Sequence, residues 1–256
     1  MIKIKTAEEL AIMRESGRIL AETLREVIKH VRPGVSELEL DALAEKLIRE
    51  KGGEPGFQKV PGYKHATCMS TNDIVVHGIP TGYKLKEGDI IGIDCGVFYK
   101  GFHTDMAETV RVKSSESKIQ NEEVDRFLEV GKKALEAGIK QAQLGNHVGD
   151  ISKAIQDIVE THNGYSVVRS LVGHGVGQEL HEEPEVPGYL IGEIEKTPLL
   201  REGMVIAVEV IYNMGGPEIV FANRDGWTLK TEDQSLAGLF ERSLAITKSG
   251  PQILTQ

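Results

Sequence analysis

The chain has 256 residues, and 30 basic against 39 acidic side chains give a net charge of −9, which argues against broad phosphate-backbone binding. Its 40% hydrophobic and 27% charged content is that of an ordinary globular protein, long enough to bury a core without disulfide or metal staples. Two cysteines, Cys68 and Cys95, make no secreted disulfide framework, and neither a signal-peptide core nor an 18-residue apolar run occurs, so the expected setting is the cytoplasm.

The first helix opens at Thr6, where Glu9 completes a capping box. Leu10, Met13, Leu20, Leu24, Val27 and Val31 follow at spacings that make one apolar stripe, until Pro33-Gly34 stops it. Ser36 and Glu39 repeat the cap; Leu40, Leu43, Leu47 and Ile48 form a second stripe, closed by Gly52-Gly53. Residues 54–112 turn to short β-prone runs punctuated by Gly and Pro. Two more helices follow, near 122–138 with Val124, Phe127, Leu128, Ala134 and Leu135, and near 147–162 with Ile151, Ala154, Ile158 and Val159.

The second half thus repeats the first. A shift of 111 positions lays Gly34 on Gly145, Leu40 on Ile151, Leu47 on Ile158 and Gly53 on Gly164. KEGDIIGID (86–94) matches REGMVIAVE (201–209), and HGIP (77–80) echoes HEEP (181–184). A helix–helix–strands unit used twice implies one α+β domain over residues 1–256, with pseudo-two-fold halves of about 1–115 and 116–256.

The chemistry lies in acids placed where a strand should carry none. Asp94 sits inside IIGIDCGVF, Glu209 inside MVIAVEVIY and Glu241 inside LAGLFERSLAIT. A buried, unpaired carboxylate is costly, and no Lys or Arg interrupts the first two runs; Arg242 follows Glu241, which leaves a salt bridge open there. A tight turn at Phe98-Tyr99-Lys100-Gly101 would set Asp94 opposite Asp105, with Cβ atoms about 4.5–5.5 Å apart. A cation resolves that repulsion, and two divalent ions would balance four carboxylates. His174, in VGHGVG, is the candidate imidazole ligand; the glycine spacing there is wrong for dinucleotide binding. His77 and His181 occupy matching places before the two acid-bearing strands and suit hydrogen bonding to a substrate carbonyl or proton transfer. The remaining histidines, His30, His65, His103, His147 and His162, read as structural.

Five stretches in order, NDIVVHGIP (72–80), GDIIGIDCGVFYKGFHTDMAETV (88–110), VGHGVGQELHEEPEVPGY (172–189), GMVIAVEV (203–210) and DGWTLKTEDQSLAGLFERSLAIT (225–247), resemble the type I methionine aminopeptidases. That resemblance implies a pita-bread fold, two duplicated halves around a curved antiparallel sheet. It makes Asp94, Asp105, His174, Glu209 and Glu241 the ligands of two divalent ions (Mn, Fe, Co or Zn), with Asp105 and Glu241 reaching both. It implies removal of N-terminal methionine from nascent proteins or short peptides with a small second residue, through hydroxide generated at the dinuclear centre. Glu209 would take the water's proton; His77 and His181 would face the substrate. Tyr63, Cys68 and Trp227, with Phe57 and Leu180 nearby, would line the methionine pocket.

The same resemblance implies a monomer that acts on peptide N-termini and visits the ribosome transiently, with no membrane or specific nucleic-acid partner. Val210, Arg242, Pro61 and Leu180 depart from the family's usual Pro, His, His and Phe, which bears on rate and methionine selectivity. A proline-directed aminopeptidase or dipeptidase of the same fold is one alternative. A non-catalytic pita-bread binding protein is the other.

Overall fold

The computed structural model describes residues 1–114 and 121–256. The expected boundary between halves, near 115/116, lies outside the described residues. In chain order come α1 (Ala7–Lys29), α2 (Glu37–Glu50), β1 (Glu54–Pro55), β2 (Thr67–Thr71), β3 (Ile74–Val76), β4 (Ile90–Tyr99) and β5 (Phe102–Arg111). From residue 121 onward follow α3 (Glu122–Gln141), α4 (Val148–Gln156), β6 (Ser166–Val167), β7 (Gly173–Gly175), β8 (Glu182–Val186), β9 (Val205–Asn213), β10 (Ile219–Phe221), β11 (Leu229–Thr231), β12 (Ala237–Thr247) and β13 (Gly250–Ile253). None of these helices is long and apolar enough to cross a membrane.

Both capping boxes form. The Glu9 N–H donates to Thr6 Oγ1 at 3.2 Å while Glu9 Oε2 accepts from the Thr6 N–H at 2.8 Å, and Ser36 and Glu39 do the same for α2. Beyond α4 one π-helical turn, Asp157–Thr161, carries Val159 inward; on α4 itself Ile155, not Ala154, joins Ile151 in the core.

Most strands form one antiparallel sheet with the path β1-β4-β5-β12-β9-β7-β8, on which β2 also pairs β4 and β6 also pairs β9. Each half therefore contributes two helices, a long hairpin and short flanking strands, an α+β architecture. Successive residues in a strand point to opposite faces. Ile91, Ile93, Cys95 and Val97 of β4 pack with α1 and α2, while Ile206, Val208, Val210, Phe240 and Leu244 of β9 and β12 pack with α3 and α4. Full burial of such a side chain contributes about 1.5–3 kcal/mol, so the helices are fixed to one face.

The opposite face receives the intervening residues: Asp94, Asp105, Glu209 and Glu241. Over part of that face lies a second sheet, β10-β11-β3, packed through Val75, Val76, Ala107, Ile211 and Leu239. The halves meet in the large sheet at β5–β12, whose ladder pairs only Glu241 with Ala107 and Arg242 with Met106. Hydroxyls extend it on either side. Thr109 Oγ1 donates to Leu239 O at 2.8 Å and accepts from its N–H at 2.9 Å; Ser243 Oγ likewise bridges Asp105 O and N, both at 2.9 Å.

Candidate metal centre

One cavity on the face away from the helices is lined by Asp94, Asp105, His174, Glu209 and Glu241, by His77 and His181, and by Tyr63, Cys68 and Trp227. All ten site residues expected from the sequence are thus brought together. Phe57 and Leu180 also line it, while none of the five histidines read as structural does.

The acids arrive from four different strands. Asp94 and Asp105 do not face each other as expected. Lys100 and Gly101 both adopt positive φ, 47° and 90°, so the turn is a two-residue link between Tyr99 and Phe102. That centres the hairpin later than the sequence suggested, pairing Asp94 with Ala107 and Asp105 with Gly96. The two acids are diagonal neighbours on one face, close enough for the charge of Asp105 to bear on the Asp94 carboxyl. On the other hairpin Glu209 lies straight across from Glu241.

His174 reaches the cluster from β7. Its Nδ1 donates to Gly175 O at 2.8 Å, which leaves the Nε2 lone pair facing Glu209 Oε1, 3.4 Å away. Ligand atoms of Asp105, His174 and Glu241 lie within 4.8 Å of one another.

Electrostatically the cluster is unbalanced. Burial raises all four carboxyls, and for Asp94, Glu209 and Glu241 the neighbouring acids add to it; Asp105 is pushed up to about 7. Burial, helped by the neighbouring His181, holds His174 down at about 4. Asp94 Oδ1 and Glu241 Oε1 are buried without a hydrogen-bond partner among the described residues. Arg242 does not repair this. It points to the helix side, where Nη2 bonds Glu108 Oε2 at 2.7 Å and Nη1 donates to the Ala107 and Glu241 carbonyls. Orphaned carboxylate oxygens, an imidazole with its acceptor nitrogen presented and, among the described residues, no opposing side-chain cation are the donor set of a hard or borderline divalent ion.

Beyond the acids the cavity becomes apolar. Tyr63 stands edge-on to Trp227 with ring centroids 5.1 Å apart, and its hydroxyl donates to Thr67 O at 2.8 Å and lies 3.2 Å from Cys68 Sγ. His77 holds a left-handed backbone, φ 56°, a conformation that costs a non-glycine residue about 1–3 kcal/mol and is concentrated at functional sites. Desolvation lowers the imidazole pKa of both His77 and His181, which favours neutral rings.

Three contributors were not singled out from the sequence. Val60 lines the cavity. Asp225 fixes Trp227 by accepting the Trp227 and Thr228 N–H groups at 2.8 and 2.9 Å, a capped turn that NRDGW could have signalled. Asp41 of α2 accepts from the Ala66 and Thr67 N–H groups, both at 2.9 Å, and holds the start of β2; a lone helical aspartate gives no such signal.

Residues 11–238 match the model of metallopeptidase family M24. The chain is 42% identical over 255 residues to a methionine aminopeptidase of Clostridium perfringens, covering 100% of this chain and 99% of that one. It is 43% identical over 256 residues to methionine aminopeptidase 1 of Bacillus subtilis, covering 100% of both. The crystal structure of a Thermotoga maritima methionine aminopeptidase superposes with a TM-score of 0.94 at 39% identity, covering 100% of each chain.

Proposed function

The chain belongs to metallopeptidase family M24, and from that premise we infer that it is a metal-dependent aminopeptidase removing N-terminal methionine. The observation that carries this reading is the convergence of four carboxyls, two of them with buried unpartnered oxygens, and one imidazole beside an aromatic-lined pocket.

Asp94, Asp105, His174, Glu209 and Glu241 hold the metal; two divalent ions, from among Mn, Fe, Co and Zn according to availability, balance four carboxylates. When bound, such ions supply Lewis acidity that lowers the pKa of a water and polarises a carbonyl. Glu209, at the edge of the cluster, accepts the water's proton. His181 and His77, kept neutral, hydrogen-bond the substrate carbonyl and the departing amine. Tyr63, Cys68 and Trp227, with Phe57, Val60 and Leu180, receive the methionine side chain, whose thioether suits an aromatic wall. A small second residue leaves the entrance clear.

The whole chain acts as one catalytic domain with halves of about 1–115 and 116–256. It works in the cytoplasm as a monomer on nascent or short peptides, with transient contact to the ribosome; its buried, unpaired Cys68 and Cys95 fit a reducing setting. The test is turnover of Met-Ala-Xaa and Xaa-Pro peptides by chelated protein re-supplied with one metal at a time. Methionine release restored by metal is the expected result. Preference for Xaa-Pro peptides would point to a prolidase-like activity, and no turnover with any metal would leave a binding protein.

A further inference from the structure

The arm ahead of α1 lies against the loop that carries His181. Lys5 Nζ sits 2.7 Å from Glu182 Oε2, and the two side chains are only 4% and 3% exposed. Glu182 Oε1 takes a second cation, Lys3 Nζ at 3.0 Å, and the Glu179 N–H at 3.3 Å. The Lys5 N–H donates to Gly203 O at 2.8 Å, fastening the arm to the turn before β9. Gly177 backs onto the pair: a Cβ there would stand 2.6 Å from Lys5 Cε and 2.8 Å from Glu182 Oε1. The chain leaves out a side chain where the ion pair is buried.

His181 is exposed to the cavity, its ring edge-on to His174 with centroids 4.4 Å apart. No hydrogen bond holds that ring among the described residues, so its place depends on the backbone and hence on its anchored neighbour, Glu182. Buried ion pairs contribute little net stability because desolvation offsets the attraction, whereas losing one partner strands a charge. This placement therefore makes better sense as positioning than as a staple.

We propose that Lys5 is a positioning residue for the hydrolytic step, holding His181 against the metal cluster through its buried pair with Glu182. The proposal rests on the substrate-facing role given to His181 above. The test uses metal-saturated protein on a Met-Ala-Xaa peptide, with Lys5→Met, Lys5→Arg, Glu182→Gln, His181→Ala and the combination of Lys5→Met with His181→Ala.

Lys5→Met should lower kcat about tenfold, as outer-shell changes do, with KM and calorimetric metal affinity held. Lys5→Arg should recover most of the rate. In the His181→Ala background Lys5→Met should add no further loss. Wild-type kcat in Lys5→Met, or an equal further loss without His181, would overturn the proposal. Should Lys5→Met not fold, Glu182→Gln keeps the shape, removes one charge and carries the same expected outcomes. Full turnover by His181→Ala would instead defeat the role assigned to His181, and this inference with it.

Discussion

The hairpins β4–β5 and β9–β12 occupy matching places in the two halves, yet they deliver their acids differently. The first sets two short aspartates on a diagonal, opposite Ala107 and Gly96. The second sets Glu209 directly across from Glu241, an arrangement of like charges that opposes folding unless a proton or a cation intervenes. Their flanks differ too. Beside β4, β2 supplies Cys68 and a carbonyl for the Tyr63 hydroxyl, whereas β7 beside β9 supplies His174. Duplication thus builds a symmetric frame, and the copies diverge in what flanks it: Cys68 on β2 beside β4 in one half, His174 on β7 beside β9 in the other.

The largest effect should come at the centre, where both halves meet. Asp105→Ala should abolish metal loading and turnover together, exceeding the roughly 10–100-fold that outer-shell changes cost. Metal analysis beside a kinetic assay checks it, and a variant that still loads and turns over normally would break the assignment.

A second break-point is pH. The raised carboxyls bind protons more tightly folded than unfolded, so their contribution is present below the ordinary carboxylate range and is lost as pH rises through the folded values, about 7 for Asp105. Melting of metal-free protein should therefore weaken from about pH 5 to about pH 8. Divalent metal should cancel or reverse that trend, because binding releases the protons. A metal-free melting temperature that climbs steadily across the window would contradict the charge imbalance.

To separate the side-chain pocket from the metal cluster, Trp227→Ala should raise KM for methionyl peptides about tenfold or more and leave metal affinity unchanged, since truncating a packed aromatic costs about 3–5 kcal/mol when fully buried and this one is partly open. His174→Ala should do the reverse, weakening metal binding first. Parallel calorimetry and kinetics on the two variants would expose any failure of this division.

The smallest change is expected at Arg242, which the fold turns away from the acids. Arg242→Ala should lose about 1 kcal/mol by releasing Glu108, discounted for partial exposure, with kcat little altered. A large fall in kcat would mean that Arg242 acts on Glu241 after all.

Much of this was legible in the sequence because it was local. Capping boxes need four residues, and acids inside apolar runs announce themselves by breaking a pattern. The salt bridge that adjacency left open between Glu241 and Arg242 does not form, because strand alternation sends the two side chains to opposite faces. Register was another matter. Placing Asp94 against Ala107 required knowing that Lys100 would join Gly101 in a left-handed turn, which a lysine does not advertise. Contacts across long stretches were equally silent: Lys5 with Glu182, and Asp41 with the start of β2, depend on the assembled fold. Asp225 lay between, carrying a turn signature that points at Trp227 only once the loop is closed.

Where the two copies join in the large sheet, the backbone ladder is two pairs long, lengthened by the hydroxyls of Thr109 and Ser243 and by the Arg242 guanidinium. A cation gripped by Asp105 from one side and Glu241 from the other would rivet that thin join. Gaining the cofactor and fastening the molecule together would then be the same event, and a fragment holding either copy alone would have no way to close the cage.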